Sequence, residues 1–168
     1  FTEMLEAPPL LHEGVVKKVT GNVVSLKISH QADGATVKRS LHGLMVKGRR
    51  CLFNLHFLDG VPPELEFEIS QGKRSWKCSS QSRFDFDPNG DMAMIECDDR
   101  TMPAFPDITS HFATGDFLEK VDYAGLPILQ VLPRDGCETI YCIGTGTNDG
   151  LITTGAGKVG YGRIAYAR

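Results

Sequence analysis

The stretch SLHGLMVKGRRCLFNLHFL, residues 40–58, decides the fold class. Its apolar side chains recur with a period close to two on both sides of Lys47-Gly48, which is typical of two strands joined by a tight turn. The second strand leads directly into His56, so an imidazole follows a segment that the core should hold rigidly. The stretch therefore predicts a β-hairpin that ends in a histidine, a side chain that can exchange protons.

The same period recurs over the first 97 residues. In ELEFEIS, for example, Leu65, Phe67 and Ile69 share one face of the strand. Turn formers such as Gln71-Gly72 and DPNG separate the segments. The predicted strands cover residues 22–29, 40–48, 49–55, 64–70, 73–80 and 91–97. Six short strands of this spacing suit a small closed β-barrel.

Residues 98–115 contain two prolines and several turn formers without a sustained period, which predicts a connector between two halves. Further strands are predicted at residues 116–124, 126–132, 138–144, 150–155 and 159–168. The last one runs to the end of the sequence, and domains rarely stop at an open strand edge. We therefore predict a first domain over residues 1–97, the connector, and an incomplete second barrel over residues 116–168.

Helical signal is confined to LLHEGVVKKV, residues 10–19. Its apolar residues recur at helical spacing, Lys17 and Lys18 fall on the polar face, and Gly21 ends the segment. The predicted fold class is therefore all-β: a short N-terminal helix followed by two six-stranded barrels, the second of them incomplete.

Composition excludes several classes of protein. The chain has 168 residues, of which 41% are hydrophobic and 23% charged, as in a globular domain. Its net charge of −3 argues against a general nucleic-acid coat. No apolar run approaches the ~20 residues that span a bilayer. The five cysteines form no C-x-x-C pair, which argues against a zinc knuckle and fits free thiols in a reducing compartment.

His56 and Asp91 are residue types that a proton-transfer site needs. A histidine at a strand end can act as general base, and an aspartate can hold its ring in one tautomer. Either residue alone has an ordinary structural explanation, Asp91 as a turn residue after Pro-Asn-Gly. Two β-barrels in tandem favour the functional interpretation, because proteases of the chymotrypsin type are built in this way.

Four motifs resemble picornavirus-like 3C and 3C-like cysteine proteases, a family with the chymotrypsin-like fold. SLHGLMVKGRRCLFNLHFL is similar to the family's strand, turn and strand that end in the catalytic His, and GDMAMIEC to the following strand that an acid opens. MPAFPDITSHF is similar to the interdomain F-R-D-I stretch, and GVVKKVTGNVVSLK to the family's first helix and strand. The resemblance runs from residue 10 to residue 168.

The resemblance implies a viral polyprotein-processing cysteine endopeptidase with His56 as general base and Asp91 as its partner. The family's nucleophile lies in a G-x-C-G turn that this sequence lacks, so we expect the nucleophilic Cys beyond residue 168 and no activity from the 168 residues alone. Cys137 follows a glycine but comes too early for the family's topology. The implied substrates are polyprotein cleavage sites in the host cell cytoplasm, with no metal, no organic cofactor and no membrane segment.

A second interpretation is a catalytically incomplete protease-like module that binds viral RNA or a viral protein. In the family, the N-terminal helix and the interdomain motif bind RNA. Pro106 stands where the family has an arginine, which puts a phosphate contact in doubt. A third interpretation is an unrelated β-barrel binding protein, in which the His and Asp would tolerate substitution. The residues implicated in RNA binding are Lys17, Lys18, Phe105, Asp107 and Ile108.

Overall fold

The computed structural model describes residues 13–62, 65–79, 82–112, 127–132, 140–146, 151–154 and 157–160. The chain divides into two compact units, one formed by Gly21–Thr109 and the other by Phe1–Thr20 with Ser110–Arg168. Among the described residues, each unit contains one antiparallel sheet, of seven strands in the first and four in the second.

The described elements are one α-helix, eleven strands and three short 3₁₀ helices. Helix α1 (Glu13–Gly21) comes first. The first sheet contains β1 (Val23–Ala32), β2 (Ala35–Lys47), β3 (Arg50–Asn54), β4 (Glu66–Gln71), β5 (Arg74–Cys78), β6 (Arg83–Asp87) and β7 (Met92–Glu96). The second contains β8 (Pro127–Leu132), β9 (Ile140–Gly146), β10 (Leu151–Thr154) and β11 (Gly157–Gly160). The 3₁₀ helices are Leu55–Leu58, Pro88–Gly90 and Thr109–His111.

The first sheet has the strand order β5-β4-β1-β2-β3-β7-β6. Its neighbouring strands are all antiparallel. The hairpin predicted from residues 40–58 is confirmed, because β2 pairs with β3 and Lys47 lies opposite Arg50. The sheet therefore brings the end of β3, where His56 follows, beside the start of β7, where Asp91 precedes.

The sequence predicted six strands before residue 98, and the structure has a seventh, β6. Its sequence, RFDFD, alternates two phenylalanines with charged residues, but only Phe84 packs against the core while Phe86 is 55% exposed, so burial alone supports this strand weakly. Pairing with β7 forms it instead. The seven strands make a curled half-barrel. Within the described residues, β5 and β6 remain its two edges, so the predicted closed six-stranded barrel is not confirmed.

The core lies on one face of the curled sheet. The alternation along β1 defines that face, since Val24, Leu26 and Ile28 are buried while Lys27 is exposed. Burying an aliphatic side chain of this size contributes about 1.5–3 kcal/mol. Gly43 on β2 belongs to this packing, because a Cβ there would lie 2.7 Å from the Cys51 Sγ.

Side chains connect the two edge strands of the curled sheet, β5 and β6. Asp98, which follows β7, accepts hydrogen bonds from the Ser79 N–H at 2.9 Å, from the Ser79 hydroxyl, and from the Ser82 hydroxyl at 2.7 Å. Ser79 follows β5 and Ser82 precedes β6, so one carboxylate ties both edges of the sheet to the end of β7. We call these three residues the Asp98 cluster. The rings of Phe67 and Phe84 meet edge to face across the same closure, with centroids 6.0 Å apart.

The connector packs against the β2–β3 hairpin. Gly48 and Phe105 exchange backbone hydrogen bonds of 3.0 and 2.9 Å. The buried Asn22 side chain donates to the carbonyls of Met45 at 2.7 Å and Pro106 at 2.8 Å. In the described part of the predicted connector, residues 98–112, the backbone forms no strand, in agreement with the sequence.

The second unit contains the sheet β11-β10-β9-β8. Its strands overlap the predictions at residues 126–132, 138–144, 150–155 and 159–168. The strand predicted at 116–124 and residues 161–168 lie outside the described residues, and a second barrel is not confirmed. The helix predicted from residue 10 is described from Glu13 and ends at Gly21.

Candidate active site

His56 lies in the 3₁₀ helix Leu55–Leu58 that directly follows β3, here called the His56 turn. The predicted position of His56 just after a strand is confirmed, since β3 ends at Asn54, and the chain then makes one tight helical turn. Phe57, the next residue, is buried and packs edge to face on Phe53 with ring centroids 6.2 Å apart. The turn is therefore anchored in the core while the His56 side chain is 62% exposed.

Asp91 follows the 3₁₀ helix Pro88–Gly90 and adopts a left-handed backbone with φ of 51°. Short polar residues tolerate this conformation better than most others. Asp87 stabilises the helix before it, since its carboxylate accepts the Gly90 N–H at 3.2 Å. The sequence DPNGD thus turns the chain so that Asp91 lies directly before β7, next to the end of β3.

The structure brings His56 and Asp91 into direct contact through two hydrogen bonds. His56 Nδ1 lies 2.6 Å from Asp91 Oδ2, and the His56 backbone N–H donates to Asp91 Oδ1 at 2.8 Å. The backbone carbonyl of Asp91 also accepts the Leu55 N–H at 3.1 Å. One aspartate therefore fixes both the backbone and the ring of His56. The catalytic role of the pair remains a prediction.

The electrostatics of the contact favour an ionised carboxylate. The hydrogen bond from the His56 ring, and then that from the His56 N–H, lower the pKa of Asp91 below its ordinary value of 3.8. An ionised carboxylate accepts only, so a neutral ring in this contact carries its proton on Nδ1 and leaves Nε2 free to accept one. This is the tautomer that a general base needs.

Sequence analysis missed Asn54, whose side-chain amide donates to Asp91 Oδ2 at 3.4 Å. It precedes His56 by two residues in the motif FNLHF. The available signal was an asparagine two residues before a histidine that follows a strand. Asn54 gives Asp91 Oδ2 a second donor and so supports its orientation toward the ring.

The cysteines that the structure describes in full are unsuited to attack a carbonyl. Cys51, Cys78 and Cys97 are free thiols and buried. Burial raises the pKa of Cys51, and the hydrogen bond to Cys97 together with burial raises the pKa of Cys78, so both favour the unreactive thiol. The same hydrogen bond lowers the pKa of Cys97, but this residue is only 2% exposed, so its sulfur is not accessible to a peptide carbonyl. Cys137 lies outside the described residues, and Cys142 lies in β9.

The residues implicated in RNA binding differ in their exposure. Phe105 is buried against the Trp76 ring, and Ile108 is 1% exposed. A buried ring cannot stack on a base, so these two side chains serve the packing of the connector. Asp107 forms an ion pair with Lys47 at 3.6 Å, while Lys17 and Lys18 are exposed on α1.

Two kinds of feature are absent from the part of the chain that the structure describes. The described residues contain no group of three or more His, Cys, Asp and Glu side chains that could hold a metal ion. Within the same residues, no helical segment has the length and apolarity needed to cross a membrane.

Comparison with known proteins supports a fold and nothing finer. No family model and no curated protein matches the chain. A crystal structure of Rv3671c from M. tuberculosis, an inactive mutant form, is similar with a TM-score of 0.50 and 15% sequence identity. The match covers 85% of this chain and 62% of that chain. Rv3671c has a chymotrypsin-like protease fold, so the likeness shows a β-rich, protease-like fold for this chain.

Proposed function

We propose that this chain carries the base and the acid of a 3C-like cysteine endopeptidase that processes a viral polyprotein. The observation that carries the proposal is the contact of 2.6 Å between His56 Nδ1 and Asp91 Oδ2, on a protease-like fold. The choice of a cysteine enzyme and of viral substrates rests on the motif resemblance. We also propose that the protein acts in the host cell cytoplasm. We further propose that the chain consists of a first domain over residues 1–97, a connector over residues 98–115 and a partial second barrel over residues 116–168.

The chemistry assigned to the pair is general acid–base catalysis. Nε2 of His56 takes the proton of a cysteine thiol, and the thiolate attacks the scissile carbonyl to form a tetrahedral intermediate. The imidazolium then donates that proton to the leaving amine as the C–N bond breaks, and water later releases the acyl group. Asp91 stabilises the imidazolium and keeps the ring oriented. We expect the thiol from a Cys after residue 168.

The test is peptide cleavage by a chain that also carries the segment after Arg168. We expect H56A to lower kcat by about 10²–10⁴-fold, which is the usual contribution of a positioned base. H42A is the matched control, because His42 is an exposed histidine on β2 and should leave kcat unchanged. Wild-type cleavage by H56A would contradict the proposal and favour an unrelated β-barrel binding protein.

The second candidate function is RNA binding by a catalytically incomplete module. It is favoured by the exposure of Lys17 and Lys18 on α1. Charge reversal of both should weaken RNA binding and flatten the slope of log affinity against log salt by about 0.7 for each lost phosphate contact. Reversal of Lys27, an exposed lysine on β1, is the control. Equal effects of the two changes would show only non-specific attraction.

A further inference from the structure

Arg39 lies on β2, a strand away from the catalytic candidates, yet it reaches the C-terminal end of the His56 turn. It is half-buried. Its Nη1 donates to the carbonyl of Asp59 at 2.6 Å and to that of Phe57 at 3.4 Å. Hydrogen bonds from a charged donor are roughly twice as strong as neutral ones, and the planar guanidinium presents its donors in a fixed geometry. The contact is therefore a strong link between β2 and the turn.

The backbone satisfies the other carbonyls at this end of the turn. The Asp59 N–H donates to the His56 carbonyl at 3.1 Å, and the Val61 N–H donates to that of Leu58 at 3.1 Å. The donors described for the carbonyls of Phe57 and Asp59 come from Arg39. Without the guanidinium, the carbonyls of Phe57 and Asp59 would lose their described donors, and Phe57 packing on Phe53 would be left to hold this end of the turn.

Asp91 anchors the opposite end of the same turn. It accepts the backbone N–H of Leu55 through its carbonyl and that of His56 through its carboxylate. Since the His56 side chain is 62% exposed, packing around the ring contributes little to its position. The orientation of the ring depends on Asp91 and on the geometry of the four-residue turn that carries it.

We infer that Arg39 is a positioning residue for His56. From β2 it fixes the end of the His56 turn, as Asp91 fixes its start, and so keeps Nδ1 of His56 on the Asp91 carboxylate. Arg39 touches neither the ring nor the reacting atoms. The effect on the ring stands on geometry alone, whereas the effect on catalysis rests on the proposed function.

The test is the tautomer of His56, read from the ¹⁵N chemical shifts of its ring in the 168-residue chain at a pH where the ring is neutral. The wild type should show the proton on Nδ1. In R39M, which keeps an apolar stem and removes the donors, we expect both ring shifts to move toward the average of two exchanging tautomers. Shifts in R39M that equal those of the folded wild type would overturn the inference.

R49M is the matched control. Arg49 is also half-buried and also donates to two backbone carbonyls, those of Met102 at 3.2 Å and Arg100 at 3.4 Å, but these belong to the connector. R49M should lose stability and leave the His56 shifts unchanged. If the His56 ring shifts change as much in R49M as in R39M, general destabilisation would explain the change, and the inference would be overturned. If R39M does not fold, R39L, which also removes the donors, is measured, and wild-type shifts there have the same consequence.

A second readout separates this inference from the proposed function. In a chain that cleaves peptide, R39M should lower kcat by up to about 100-fold with KM unchanged, because a misplaced base affects the transition state more than binding. Unchanged kcat with a moved tautomer would overturn the catalytic part of the inference. If H56A keeps its activity, the proposed function fails, and the ¹⁵N shifts still decide whether Arg39 positions the ring.

Discussion

Two aspartates stand at the two ends of β7, Asp91 before it and Asp98 after it. Both accept a backbone N–H and further side-chain donors, and both have a pKa below the ordinary 3.8. They differ in their donors. Asp91 binds a titratable imidazole that is 62% exposed, whereas Asp98 binds the hydroxyls of Ser79 and Ser82.

An anchored carboxylate alone therefore does not identify a catalytic site. Serine hydroxyls do not change charge near neutral pH, so the described contacts of the Asp98 cluster close the sheet and contain no base of the imidazole type. An imidazole that carries its proton on Nδ1 can do so through Nε2. The proposed function therefore places chemistry at the Asp91 end of β7, and the hydrogen bonds of the Asp98 cluster give the other end a structural role.

The largest expected effect concerns activity. Asp91→Asn should lower kcat for peptide cleavage by about 10²-fold or more, because the neutral amide no longer stabilises the imidazolium or selects the tautomer. Asp98→Asn, the matched change at the other end of β7, should change kcat by less than about threefold. Equal losses in kcat for the two variants would contradict the assignment.

The next effect concerns stability and has the opposite ranking. Asp98→Ala leaves the buried Ser82 hydroxyl without its described acceptor and should lower Tm by about 3–6 °C. Asp91→Asn, at an exposed site and with a residue that tolerates left-handed backbone, should lower Tm less. Thermal unfolding by circular dichroism measures both. A larger fall in Tm for Asp91→Asn than for Asp98→Ala would contradict this ranking.

A smaller effect is expected in acid. The hydroxyl of Ser79, its N–H and the hydroxyl of Ser82 lower the pKa of Asp98 from 3.8 to about 2. Because the folded pKa is the lower one, the stabilisation is complete above pH 3.8 and is lost as the pH falls through about 2. The difference in unfolding free energy between wild type and Asp98→Asn should therefore shrink over this window. Urea unfolding of both proteins at several pH values measures this difference. A difference in unfolding free energy that stays constant as the pH falls through this window would show that the Asp98 carboxylate is not stabilised in this way.

The smallest effect concerns a histidine that has no described partner. His30 is 8% exposed, and both its ring nitrogens are buried without a hydrogen bond within the described structure. Replacing an unsatisfied polar group by an apolar one of similar size is nearly neutral or stabilising. His30→Leu should therefore keep Tm within about 2 °C of the wild type or raise it. A fall of several degrees in a thermal melt would mean that the ring has a structural partner.

Much of the first sheet was predictable because local pattern and tertiary packing agree there. The β2–β3 hairpin follows from the alternation around Lys47-Gly48, and β4 follows from ELEFEIS. β6 was missed although Phe84 and Phe86 alternate with charged residues, because a five-residue segment with one partly buried phenylalanine is a weak signal. The β1–β2 turn at Asp33-Gly34, both with positive φ, was also missed, although the Asp-Gly pair was a usable signal.

The candidate site was predictable only in part. A strand-end His and an acid at the next strand were visible in the sequence, and the resemblance paired them. The Asp98 cluster was not visible, because serines and aspartates are common at surfaces and nothing in their spacing says that they meet. Arg39 was missed for a related reason: its partners are backbone carbonyls, which every residue carries.

The most direct test of the account is the position of the proton on His56. It can be measured from the ring ¹⁵N shifts of the 168-residue chain and of Asp91→Ala at a pH where the ring is neutral. We expect a ring protonated on Nδ1 in the wild type and a mixture of tautomers in Asp91→Ala. A wild-type ring with its proton on Nε2, or the same shifts in both proteins, would contradict the claim that Asp91 prepares His56 to act as a base.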